Sequence, residues 1–146
     1  MIALQTLHQQ PSGLLSQLGW DWMLGSDTVP YLIQDVVRLS EKDATAYSQA
    51  AETLYPMFVE AAQYCIDQHL YTQLGIPDTL IDLIVQSWND DRHIHLYGRF
   101  DLAGGGGQPI KLLEFNADTA TCIPETALVQ WAHLKANGLD EKRQFN

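Results

Sequence analysis

Four consecutive glycines, Gly104 to Gly107, sit between two short apolar runs, and this stretch constrains the fold more than any other part of the chain. Such a run cannot lie inside a helix or a central strand without a large entropic penalty, so it marks a reversal of direction. The flanks alternate with a period of two. Before the loop Leu96, Gly98, Phe100 and Leu102 point one way, and Tyr97, Arg99 and Asp101 point the other. After it Leu112, Glu114 and Asn116 share a face. Strands over 94–102 and 110–116, joined by AGGGGQP, therefore read as an antiparallel hairpin.

The rest of the chain has helical period. Ser40 can cap a helix whose first turn carries Glu41 and Asp43, and Tyr47, Ala51, Leu54, Phe58, Ala62 and Cys65 then recur at steps of three and four. Pro56 falls inside this stripe, which predicts a kink or two helices in tandem before Leu70, with Gly75 and Pro77 as stop signals. Asp78 is the expected cap of a second helix with Ile81, Ile84, Val85 and Trp88 on one face. Pro124 and Gly138 bracket a third, whose apolar face is Leu128, Trp131 and Leu134. Near the start, PSGLLSQLGWDWMLG allows one helical turn, with Trp20 and Trp22 as buried anchors. The fold class is α+β, a hairpin or small antiparallel sheet packed against helices, in a single domain over 1–146.

Composition narrows the function classes. With 18 acidic residues against 8 basic ones the formal charge is −10, which repels phosphate backbones and argues against nucleic acid as a partner. The N-terminus lacks a basic lead and an apolar core of signal-peptide type, and no run nears the ~18 apolar residues of a membrane span. Cys65 and Cys122 are far apart and lack finger spacing. The expectation is a cytoplasmic protein with reduced thiols and no membrane partner. Cys65 reads as core filler and Cys122 as a structural thiol ahead of a helix.

The hairpin carries the candidate chemistry. If Asp101 opposes Glu114, the same register puts Arg99 opposite Asn116, and two carboxylates that close destabilise the pair. A divalent cation removes the repulsion: two carboxylates and an amide oxygen are hard ligands of the kind magnesium takes, usually beside waters and nucleotide phosphates. Arg99 would then face the same ligand with a fork suited to phosphate or carboxylate. The plainer alternative is a solvated polar face, with Glu114 paired to Lys111 or Arg99. The glycine run lacks the Lys and Ser or Thr of a phosphate loop. The imidazoles of His93 and His95 on one strand face would need a third ligand to hold zinc.

Beyond spacing, the motifs LYGRFD, KLLEFNADTATC and ETALVQW resemble the glutathionylspermidine synthase family and its acid–amine ligase relatives. GWDW, LGIP and QSW fit in the same order, so the resemblance covers nearly the whole chain. It implies the N-terminal, pre-ATP-grasp part of an ATP-grasp ligase, which uses ATP to phosphorylate a carboxylate and lets an amine displace the phosphate. It further implies that Arg99, Phe100 and Asp101 contact nucleotide phosphate and magnesium, with Arg99 in a catalytic role. Glu114 and Asn116 would complete the Mg2+ shell with Asp101, and Thr119 and Thr121 would contact the substrate. The implied cofactors are ATP and Mg2+, and the implied partners a glutathione-like acid and a polyamine-like amine. Two departures stand out. A Cys–His amidase part is absent, and family members are well over twice this length, so the ATP-grasp core is expected to lie outside these residues and the chain alone to be inactive. A non-catalytic binding module or a degenerate structural fragment are the competing readings.

Overall fold

The computed structural model describes residues 2–25, 31–118 and 121–145. Their elements are β1 (Ala3–Thr6), α1 (Ser12–Gln17), β2 (Asp35–Arg38), α2 (Glu41–Asp67), α3 (Asp78–Asn89), β3 (Gly98–Gly105), β4 (Gln108–Ala117) and α4 (Gln130–Ala136). Helices with two small two-stranded sheets make the α+β class expected from the alternating periodicities. The chain divides into two compact units, one of Met1–Ala44, Gly105–Gln108 and Ala120–Asn146, the other of Thr45–Gly104 and Pro109–Thr119. No helix among the described residues is long and apolar enough to cross a membrane.

In the first unit β1 and β2 pair antiparallel, in register from Ala3↔Arg38 to Thr6↔Asp35. Neither four-residue strand shows enough alternation to be read from sequence. The apolar core gathers Leu15, Met23, Leu32, Val129 and Ala132, with Leu14, Trp20, Leu24, Leu128 and Trp131 against it. Trp20 anchors as expected, but Trp22 is 62% exposed. The reason is local: Asp21–Leu24 is a 3-10 turn, in which residues three apart line up. Trp20 and Met23 therefore share the inward side, and Trp22 is carried outward.

Asn137 closes this unit. Its Oδ1 accepts from the backbone N–H of His8 at 3.0 Å and Gln9 at 2.9 Å, while Nδ2 donates to the carbonyls of Gln9 and His133, both at 2.9 Å. One amide thereby satisfies an irregular segment that has no ladder of its own. Gly138, at φ +63, ends α4 as its position predicted. The turn before α4 differs from expectation. Glu125–Val129 is a π turn rather than regular α-helix, entered by a bond from Thr126 N–H to the Cys122 carbonyl at 3.0 Å.

His133 on α4 is 5% exposed, and its Nδ1 has no hydrogen-bond partner among the described residues. Burial holds its pKa below the ordinary histidine value, because the charged ring would lose water without gaining a partner. The unfolded chain therefore takes up this proton first as pH falls. The contribution is intact above about pH 6.5 and is lost progressively below it. Thermal melts between pH 7 and 5 should show a decline that is shallower in His133→Met; equal slopes would remove His133 from the account.

In the second unit the expected stripe Tyr47, Ala51, Leu54, Phe58, Ala62 and Cys65 is half-buried along α2. Helix α2 is one element of 27 residues, not two in tandem. Pro56 withdraws one hydrogen bond, from the Glu52 carbonyl, and both residues lie on the exposed face where water can take the acceptor. Asp78 is the first helical residue of α3 rather than its cap; Pro77 holds that place in extended conformation without a side-chain bond. Ile81, Ile84 and Val85 are half-buried, while Leu80 and Leu83 are exposed. β3 starts at Gly98 rather than Ile94, and Ile94 and Leu96 stand in solvent before it.

Candidate functional site on the hairpin

The two faces of the hairpin have opposite chemistry. Phe100 of β3 and Phe115 of β4 stack at 4.4 Å between centroids, and Phe58 of α2 lies 5.9 and 4.7 Å from them. This aromatic cluster fastens the hairpin to the helix. By strand alternation the residues flanking each phenylalanine, Arg99 with Asp101 and Glu114 with Asn116, face the other way.

Those four are joined into one polar chain. Arg99 Nε donates to Asp101 Oδ1 at 2.8 Å, with both side chains about one-third exposed. The Asn116 amide stands between Arg99 and Glu114. With its nitrogen toward Glu114 it donates to Oε1 at 2.9 Å, and its oxygen then accepts from Arg99 Nη2 at 3.1 Å. Asp101 and Glu114 are thus each tied to the cross-strand pair Arg99–Asn116. Arg92 is a useful contrast. Its fork closes on Asp90 through Nε and Nη2, at 2.9, 3.2 and 2.6 Å, and its guanidinium holds Asp90 down to about 2. Arg99 is shared between two strands instead.

The open end of the hairpin is held by Asp118, which sequence reading did not single out. Its N–H donates to the Tyr97 carbonyl at 2.7 Å, and its Oδ1 accepts from Leu96 N–H at 3.2 Å and Tyr97 N–H at 3.4 Å. The residue sits at φ +52, a conformation that aspartate tolerates better than most. His95 is likewise used locally: Nε2 is 2.8 Å from the Tyr97 carbonyl and Nδ1 is 3.0 Å from the Tyr55 hydroxyl. His93 is exposed, and among the described residues no three His, Cys, Asp or Glu side chains converge as a metal cluster. A cation here would rest on two carboxylates and one amide.

At the loop, Ser40 and Asp43 form a reciprocal cap. Ser40 Oγ accepts from Asp43 N–H at 3.2 Å and donates to Asp43 Oδ2 at 2.6 Å. Asp43 Oδ1 then accepts from Gly106 N–H at 2.8 Å, so a buried carboxylate satisfies the glycine turn. Of the expected substrate residues, Thr121 is exposed in the first unit and Thr119 lies outside the described residues. Cys65 is half-buried on α2, and Cys122 is half-buried at φ +68.

Comparison with known proteins agrees with the motifs on this hairpin. A putative acid–amine ligase of Haemophilus influenzae is 37% identical over 94 residues, which is 64% of this chain and 23% of that protein. The bifunctional glutathionylspermidine synthetase/amidase of Escherichia coli K12 is 28% identical over 116 residues, 76% of this chain and 18% of its own length. The match thus spans about a quarter or less of these curated relatives. The family described as glutathionylspermidine synthase pre-ATP-grasp matches residues 3–146, from the first strand to the last residue, and the chain belongs to that family.

Proposed function

We propose that this chain is the leading, pre-ATP-grasp portion of an ATP- and Mg2+-dependent acid–amine ligase, and that the polar face of the hairpin is its magnesium and phosphate edge. The observation that carries this reading is the joined set Asp101–Arg99–Asn116–Glu114 on one face. The donor chemistry fits: two carboxylates and an amide oxygen suit a hard cation, and an arginine beside them suits the phosphate that such a cation carries. Magnesium would be held by Asp101, Glu114 and Asn116, and when bound it neutralises charge on the phosphate oxygens.

The reaction on this reading has two steps. A carboxylate oxygen of the acid attacks the terminal phosphorus of ATP, ADP departs, and an acyl phosphate forms. The amine nitrogen then attacks the acyl carbon, phosphate leaves, and the nitrogen gives up a proton. Arg99 spreads positive charge over the transferring group, and Phe100 anchors its strand from behind. The acid is glutathione-like and the amine polyamine-like by analogy with the named relatives. Thr121 and Thr119 are proposed on the substrate side, and the setting is cytoplasmic. Phosphoryl transfer needs clamping from several sides, so this chain by itself is not expected to turn over.

The test is a thermal melt with magnesium against sodium at matched ionic strength. A cation bound only by the folded form stabilises it by ~1.4 kcal/mol at about tenfold excess over Kd, and affinity near millimolar is the expected order for a site with few protein ligands. Magnesium should raise the melting temperature more than sodium, and Glu114→Gln should abolish the difference. Equal shifts for both salts, or a magnesium effect that survives Glu114→Gln, would reduce the face to ordinary surface charge.

A further inference from the structure

Helix α3 is apolar on two sides and buried on neither. Leu80, Ile81, Leu83, Ile84, Val85 and Trp88 make up half of its 12 residues, yet none of them is buried. One stripe, Ile81, Ile84 and Val85, is half-buried, and on that side Trp88 Nε1 donates to Gln63 Oε1 of α2 at 2.6 Å. The other, Leu80 and Leu83, lies about a third of a turn round the helix and is 45% and 60% exposed. A helix that meets one neighbour needs one apolar stripe, so a second stripe calls for a second neighbour. Among the described residues of the second unit Tyr71 is the one buried apolar side chain, so much of the unit's apolar surface is still open.

The flank of this ridge is acidic. Asp82, Gln86, Asn89, Asp90, Asp91 and Arg92 line an open groove along α3 and its C-terminal end. Arg92 is already closed on Asp90 at 2.6 Å. Asp82 and Asp91 meet no cation among the described residues, so the groove is negative in sign. The surface that fits is apolar with a rim of Lys or Arg. A second copy does not offer one. The chain carries a formal charge of −10, and two such grooves brought together would set carboxylates against carboxylates.

Resting on the reading of this chain as the leading portion of a ligase, we propose that the outer face of α3 is where the ATP-grasp portion of that ligase docks. The chain spans about a quarter or less of its curated relatives, so on this reading a far larger polypeptide is joined to it. A ridge one helix wide falls well short of the ~1,600 Å² that holds an independent partner. A joined portion needs less, because linkage raises its effective concentration, and interfaces between domains of one chain begin at about 600 Å². Leu80 and Leu83 supply the apolar contact, and Asp82 and Asp91 select a basic rim.

The experiment is maleimide labelling of Leu83→Cys, read by peptide mass spectrometry. It compares this chain alone with the same chain joined to the rest of the Haemophilus influenzae relative in place of its matching segment. Labelling should be slower by about tenfold or more in the joined protein, because the interface must open first. Equal rates would overturn the proposal. If the joined protein does not melt cooperatively, a cysteine at the aligned position of the intact relative takes its place, and labelling there as fast as in the isolated chain overturns the proposal alike. Leu83→Glu should leave the urea midpoint of the isolated chain unchanged and lower that of the joined protein. A loss in the isolated chain as well would make Leu83 part of the unit's own core and sink the docking face. Light scattering should find the isolated chain monomeric, and a dimer abolished by Leu83→Glu would assign the face to a second copy instead. The magnesium melt is a separate readout. Protection at Leu83 without a magnesium effect leaves the docking face and removes the ion site, and the reverse result removes the docking face alone.

Discussion

Phe115→Ala should weaken the second unit by ~1–3 kcal/mol, below the ~3–5 kcal/mol of a fully buried aromatic because this residue is half-buried. The ring is the hub of the cluster that backs the hairpin. It stacks on Phe100 at 4.4 Å and 24°, approaches Phe58 at 4.7 Å, and meets Tyr55 and His95 edge-on at 6.4 and 5.9 Å. It also explains Gly98 of β3: a Cβ there would come within 2.6 Å of the Phe115 ring, so the ring occupies the space that a side chain would need. Few residues of this unit are fully buried, which leaves little else to hold the strands on α2. The consequence reaches the polar face, because Arg99, Asp101, Glu114 and Asn116 keep their positions only while the strands do. A urea melt followed by fluorescence gives the stability change. Phe115→Leu, which keeps most of the apolar bulk, should cost less and retain the magnesium-specific stabilisation. A Phe115→Ala chain within ~0.5 kcal/mol of the parent, the range of ordinary surface changes, would mean that the cluster is not what fastens the hairpin.

What the sequence disclosed and what it hid divide along contact distance. The α2 stripe and the hairpin were legible because each rests on a local period, 3.6 for Tyr47 to Cys65 and 2 for Gly98 to Asn116. The family was legible because two of its motifs lie on that hairpin and the others follow in order along the chain. The β1–β2 sheet was not, since four-residue strands whose partners are Ala3 and Arg38 have no local signature. Pro56 misled because propensity describes a helix interior, whereas this proline lies on an exposed face that tolerates the missing bond. Trp22 departs from expectation because aromatic character alone predicts burial, whereas the 3-10 turn carries this ring outward. Among the site residues, same-strand pairs such as Arg99 with Asp101 follow from alternation. The part played by the Asn116 amide does not, because it depends on which neighbour each end faces.

Gly104→Ala is expected to be the most disruptive change at the tip of the hairpin. The residue sits at φ +111, where an L side chain is strained, and an added Cβ would lie 2.1 Å from the Pro109 carbonyl oxygen and 2.9 Å from its carbon. Both are backbone atoms, so no flexible side chain can swing aside. Strain of this kind costs ~1–3 kcal/mol before any clash is counted. Relief requires β3 and β4 to separate at this point, which endangers the bond from Tyr47 OH to the Gly104 carbonyl at 2.7 Å. Gly106 supplies the control. It is also left-handed, at φ +63, but nothing lies within 4 Å of its added Cβ, so alanine there carries only the conformational penalty of ~1–2 kcal/mol. The functional stake is register. A slip of one residue turns every side chain of a strand to the other face, which would part Arg99 from Asn116 and bring that strand's phenylalanine to the polar side. Gly104→Ala should therefore lose both stability and the magnesium-specific stabilisation, whereas Gly106→Ala should keep the magnesium response on a modestly weakened fold. Equal costs for the two variants in urea melts would show that the close approach at Pro109 does not constrain the hairpin. A Gly104→Ala chain that still answers to magnesium would show that the register, and with it the alignment of Arg99 with Asn116, does not depend on this glycine.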